Sequence, residues 1–194
     1  MFRLDNFLEY WATIYKPLSH DPSAKSKHKT FYRIDRLGGD NEFARNFNTA
    51  PSPCMAFPTS IDAEMGKNAK QIVYHHGFYF MVKQSSATNG KLNRQSDLDA
   101  ADCKAELDDL AQDLLAWLYA ERKKATDPAT LKYYTQEEQI ALKGLALEEA
   151  KWWSVPELYN GWWVLGIEFD RTESRNLCVN PEDYITSESS SSSS

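Results

Sequence analysis

His75 and His76 are the side chains in this 194-residue chain best suited to hold a metal ion or move a proton, because imidazole titrates near neutrality and ligates most transition metals. They lie in Gln71 to Gln84, where Ile72, Tyr74, His76, Phe78, Phe80 and Val82 alternate with Val73, His75, Gly77, Tyr79, Met81 and Lys83. That alternation predicts a strand, and neighbouring strand residues face opposite sides. The two imidazoles therefore cannot share one ion without a bulge, for which Gly77 is the candidate position. A thiol–imidazole pair would have to join Cys54 to His75 or His76, with no local motif to bring them together. Cys54, Cys103 and Cys178 are far apart, without CxxC or zinc spacing, and read as reduced thiols. In the acidic run Glu106, Asp108, Asp109 and Asp113, two carboxylates fall four apart on one helix face beside an apolar stripe, which reads as a solvated surface. Gly38-Gly39 lacks the spacing of a phosphate loop. No catalytic residue, metal ligand or cofactor is expected.

The remaining candidates suit binding. Lys25, Lys27, His28, Lys29, Arg33 and Arg36 form one basic patch interleaved with Phe31 and Tyr32. Such a patch can hold single-stranded nucleic acid, or the acidic helix of a neighbouring subunit. A formal charge of −6 disfavours nucleic acid as the partner. Four of the six tryptophans fall in Trp152-Trp153 and Trp162-Trp163, around an Asn160-Gly161 turn signal. Alternation places Trp163 with Leu165, Ile167 and Phe169 in the core, and Trp162 with Glu168 and Asp170 on the other face. Two readings follow: a packed hairpin or strand end, or an interface anchored by Trp162, Tyr159 and Arg171, residue types that dominate protein contacts. Trp152-Trp153 is expected to fix the turn from helix to strand.

Several elements must position these groups. Leu4, Phe7, Leu8, Trp11, Ile14 and Tyr15 recur at helical spacing, and Pro17 closes that helix. Thr30 to Leu37 reads as a strand, and Cys54 to Phe57 as a brief or edge strand between prolines. Ser96 is a good N-cap for a long helix, Asp97 to Lys124, whose stripe is Cys103, Leu107, Leu110, Leu114 and Trp117. Asp127-Pro128 breaks it. Thr135 to Glu138 is a capping-box pattern opening a second helix that runs to about Glu149. Trp162 to Asp170 is the last strand.

These elements predict a single α+β domain over residues 1–186: a mostly antiparallel sheet of about four strands, with an N-terminal helix and a long helix packed on it. The serine run at 187–194 is expected to be disordered. Apolar residues at 42% and aromatics at 13% are ample for a core. Asp5 and Glu9 interrupt any N-terminal signal segment, and no membrane span is expected.

The order of these segments (2–16, 30–37, 54–57, 71–84, 97–124 and 162–170) is similar to that of the tail-terminator, or tail-completion, neck proteins of bacteriophages and related contractile particles. The likeness covers most of the chain as a pattern of elements and has no signature motif, so it transfers no functional residue. It implies a structural virion protein, assembled in the host cytoplasm. Six copies would close into a ring joining tail to head, touching tail-tube, sheath or head-connector neighbours. Two other classes stay open: a cytoplasmic adaptor docking a partner through the Trp162 edge, and an enzyme built on Cys54 and the histidines.

Overall fold

The computed structural model describes residues 2–23, 28–34, 50–59, 62–65, 71–84, 100–159 and 161–174, with the side chains of 100 and 155–159 outside that set. Lys25, Lys27, Arg36, Ser96, Cys178 and the serine tail lie outside the described residues.

Helix α1 spans Leu4–Ile14 and buries Leu4, Leu8, Trp11 and Ala12, one stripe at three- and four-residue spacing. The chain leaves the helix at Tyr15, whose N–H still donates to the Trp11 carbonyl at 2.9 Å, and Pro17 prevents continuation. Helix α2, Ala100–Thr126, buries Cys103, Leu107, Leu110, Ala111, Leu114 and Leu118 on one side. Lys123 and Lys124 sit in its last turn, where the helix dipole favours cations. Helix α3, Gln136–Lys143, opens with a formed capping box: Glu138 N–H donates to Thr135 Oγ1 at 3.2 Å, and Thr135 N–H to Glu138 Oε2 at 2.7 Å.

Helix α3 ends six residues short of the expected Glu149, and tertiary pairing is the reason. The Thr172 N–H donates to the Gly144 carbonyl at 2.9 Å, and the Ala146 N–H to the Asp170 carbonyl at 2.8 Å. Leu145 thus bridges to Arg171, and a short 3-10 turn, Leu147–Glu149, leads to the next strand.

The sheet has six strands, β1 (Phe31–Ile34), β2 (Cys54–Pro58), β3 (Asp62–Met65), β4 (Gln71–Lys83), β5 (Lys151–Tyr159) and β6 (Trp162–Ser174). Its order is β1-β2-β4-β6-β5, with β3 pairing β4 beside β2. The α+β class is as expected, but the sheet is mixed: β1 and β2 are parallel, and every other pairing is antiparallel. The two unexpected strands are β3 and β5. β2 is no edge strand; it lies between β1 and β4, with Pro58 at its end. β4 and β6 pair through thirteen consecutive rungs, Gln71–Ser174 to Lys83–Trp162, so Gly77 marks no bulge.

α1 and α2 cover one face of this sheet. Phe78, Phe80, Val82, Leu165, Ile167 and Phe169 meet Leu8, Trp11, Leu107 and Leu114 in the main core. The outer face carries a second, smaller cluster: Cys54, Ala56, Met81, Trp162 and Val164, flanked by Tyr32, Ile34 and Tyr79. Among the described residues, no helix is long and apolar enough to cross a membrane.

Candidate functional site: an exposed tryptophan edge

Alternation along β6 holds. Trp163, half-buried, packs against the main core and donates its Nε1–H to Gln84 Oε1 at 3.0 Å. Trp162 points to the outer face, as expected, but it is only 2% exposed. It packs with Met81 and Val164, and the Lys83 ammonium lies 5.7 Å from its ring centroid. The expectation of an exposed Trp162 anchor is therefore corrected. It treated the outer face as bare, whereas at this end that face has an apolar cluster of its own.

The exposed members of the group are the other pair. Trp152 is 52% exposed and Trp153 40% exposed, at the start of β5, rather than fixing a helix-to-strand turn. β5 is the last strand of the sheet, and no strand pairs its outer side among the described residues. Trp152 stands opposite Ile167 on the helix side, and Trp153 opposite Gly166 on the outer side. A Cβ at Gly166 would lie 2.6 Å from Trp153 Cζ2, so the indole lies flat over the glycine. Register extends this into a row across five strands: Tyr32, Ala56, Tyr79, Gly166, Trp153. Large and small side chains alternate in it, each aromatic ring beside a residue that leaves it room. Tyr159 closes the hairpin by pairing with Trp162, and Gly161 in the turn adopts φ +84°, a conformation that favours glycine.

Arg171 lies nine residues from Trp162 along β6, roughly 30 Å away at strand rise. It is 5% exposed and faces the helix side. Its Nε–H donates to His76 Nε2 at 3.1 Å, its Nη1 donates to Glu173, and its guanidinium lies 4.4 Å from the Tyr74 ring centroid. It is an internal group, and the reading of Arg171 as an exposed anchor beside Trp162 is corrected. Burial first, and the Arg171 charge second, push the His76 imidazole down to about 3, so the ring is neutral at physiological pH.

Arg33, on β1, clamps α1 through Asp5 (Nε to Oδ2, 2.8 Å), Asn6 (2.9 Å) and Glu9 (Nη2 to Oε2, 2.8 Å). Arg33 holds the Glu9 carboxyl below the usual range; at Asp5, burial opposes and is outweighed by bonds from Arg3 and Arg33. Buried His20 accepts the Thr30 and Phe31 N–H groups at Nδ1 (3.0 and 3.2 Å) and faces Glu9 at 3.5 Å. Arg33 thus belongs to a helix–sheet clamp while remaining exposed on its outer side. Lys29 is exposed, 5.9 Å from the Tyr32 centroid. Sequence spacing had no means of finding this clamp, because its partners stand 24 to 28 residues away.

His75 and His76 face opposite sides of β4, as alternation requires. Exposed His75 pairs with Asp170 at 2.7 Å (Nδ1 to Oδ1), and that bond raises its pKa. Cys54 is fully buried and its thiol is pushed up by desolvation. It stands opposite Met81, six residues along β4 from His75, or roughly 20 Å, which separates the thiol from the imidazole. In the acidic run, Asp113 accepts the Tyr15 hydroxyl at 2.5 Å, so that carboxylate ties α1 to α2.

The fold and this edge define an α+β protein with an open mixed sheet, layered by helices on one face and presenting aromatic side chains at one border. No protein-family model matches the chain, and no curated protein matches it significantly.

Proposed function

We propose that this protein is an assembly subunit, a structural component of a bacteriophage or phage-like contractile particle that closes into a ring at the tail end of the neck. The observation that carries the reading is β5, a nine-residue border strand with two adjacent exposed tryptophans. A border strand presents unpaired N–H and C=O groups, and exposed strands of this length are normally blunted by charge or covered. Here the stretch Lys151 to Val155 pairs in regular register with β6 and holds one charge, Lys151, whereas Pro156, Glu157 and a register shift before Tyr159 blunt the far end of the strand. Tryptophan is the residue type most enriched at the centre of protein contacts. The occupant proposed for this border is a second copy of the chain. Rings need two different surfaces on each subunit, and the sheet offers two borders, β5 and β1, at opposite ends. The particle assignment rests on the order of elements read from the sequence, which is similar to that of tail-terminator proteins.

Native mass spectrometry over a concentration series, with negative-stain imaging, tests it. Closed rings are expected for the wild type. Trp152→Glu combined with Trp153→Glu should weaken association at least tenfold while leaving the circular dichroism of the monomer intact. A wild type that stays monomeric at every concentration, or rings that survive the double substitution, would overturn the proposal. A border that binds only a foreign strand would move the protein to the adaptor class.

A further inference from the structure

On the helix side of the fold, an open groove of about 570 Å³ runs between α1, the end of α2 and the turn that opens α3. That volume falls within the roughly 300–1,000 Å³ of small-ligand sites. Five aromatic rings line it: Phe2, Phe7 and Tyr10 on or just before α1, and Tyr133 and Tyr134 at the end of a 3-10 turn, Leu131–Tyr133. Tyr10 is 57% exposed and Tyr133 76% exposed, so both rings are open to a ligand. The walls behind them are held in place. The Phe7 ring centroid lies 4.7 Å from that of Trp117 and 5.7 Å from that of Phe2. Gln139 Nε2 donates to the Leu131 and Tyr134 carbonyls, each at 2.9 Å, and pins the turn.

Charge sets the sign of the occupant. Glu121, Glu137 and Glu138 line the groove against one cation, Arg3, whose Nε and Nη2 already bond Asp5 at 3.1 and 2.6 Å. Further out, Lys124 bonds Glu121, and the Lys132 ammonium lies 5.2 Å from the Tyr133 centroid. With these neighbours included, four carboxylates meet three cations. The Lys124 side chain is 55% exposed and Lys132 is exposed, so water screens both, whereas the Glu121 side chain is only 12% exposed. The roughly half charge at the start of α3 is smaller than that of the two carboxylates in its first turn. The groove therefore favours a cation and repels an anion.

Hydrogen bonding sets the class of cation. Glu121 spends Oε1 on Lys124 and Oε2 on the Tyr134 hydroxyl, and Glu138 gives Oε2 to the Thr135 N–H and hydroxyl. A primary ammonium brings three N–H donors that need acceptors. A methylated ammonium brings none, and aromatic faces attract it electrostatically. The geometry points to a binding site for a trimethylammonium group, its methyls against Tyr10, Tyr133 and Tyr134 and its charge offset by Glu121, Glu137 and Glu138. This inference does not rest on the ring reading.

Choline is the probe, titrated into the full chain at constant ionic strength by calorimetry, with the aromatic protons of Tyr10, Tyr133 and Tyr134 followed by NMR. Saturable binding is expected, with those protons moving and the choline methyl resonance shifted upfield by ring currents. Neohexyl alcohol, the neutral isostere with carbon in place of nitrogen, should bind about tenfold more weakly, and ethanolamine should also bind more weakly than choline. Tyr10→Ala combined with Tyr133→Ala removes two exposed rings, so it should keep the circular dichroism of the wild type and weaken choline about tenfold. No saturable response up to about 10 mM choline would overturn the proposal. So would equal binding of neohexyl alcohol or ethanolamine, or a folded double variant that binds as the wild type does. A short peptide bearing trimethyllysine separates the sources: tighter binding than choline supports the site and assigns it a protein-borne group, and weaker binding assigns it a free small cation. Should the double variant fail to fold, the comparison of choline with neohexyl alcohol on the wild type decides alone.

Discussion

Trp153 lies flat across Gly166, its opposite number on the neighbouring strand, and the missing Cβ is what lets the indole rest there. In Gly166→Ala the new methyl would lie 2.6 Å from the ring. The ring is on the border strand, so it can swing outward. The expected cost is about 1 kcal/mol, at the low end for an overpacked contact, read by urea unfolding. Acrylamide quenching of tryptophan fluorescence should increase, because Trp153 loses its cover. Unchanged quenching would mean that the indole does not lie over the strand.

Gly144 offers a harder constraint. Its missing Cβ would fall 2.1 Å from the Thr172 carbonyl oxygen, a backbone atom held in the β6 ladder. Neither side can yield cheaply, so Gly144→Ala should cost about 3 kcal/mol, the upper range for overpacking. Amide exchange should speed up at Thr172 and Ala146, whose N–H groups bridge α3 and β6. A variant as stable as the wild type would contradict the close approach.

Acid should act on the fold through His76. Its folded pKa is depressed to about 3 from an ordinary 6.5, so its contribution is complete above 6.5 and is lost as pH falls toward 3. At 1.36 kcal/mol per pH unit, the loss between pH 7 and pH 5 is about 2 kcal/mol. His20, also depressed by burial, adds in the same direction, whereas exposed His75, raised by Asp170, opposes. Denaturant unfolding of wild type and His76→Gln at both pH values isolates the term. His76→Gln should show a pH dependence smaller by about that amount; identical slopes would remove His76 from the account.

Elements whose signal is local were legible in the sequence. The stripe of α1, the capping box of α3 and the alternation of β4 and β6 each depend on residues within a few positions of one another. β3, Asp62–Met65, was illegible because all four of its residues are exposed and it exists by pairing with residues 72–75 of β4. β5 was obscured by Pro156 and by two adjacent tryptophans, which fit no simple alternation. The exposed aromatic border was the least legible part. Trp162, Arg33 and Arg171 have the residue types of anchors, but each finds a partner inside the chain, Arg171 at a separation of 95 residues. Trp152 and Trp153 stay exposed because their strand ends the sheet, a fact of topology.

The unbroken β4–β6 ladder also bears on how the chain folds. Its rungs join residues 79 to 103 positions apart, with α2, α3 and β5 between them. Loop-closure entropy rises with that separation and slows non-local pairing, so the β5–β6 hairpin and the helices are expected to precede the ladder. The shortest closure is at Lys83–Trp162, and zipping from there reaches Tyr74–Arg171 near its far end. Arg171 and His76 would thus meet late in folding, after the tryptophan border has formed.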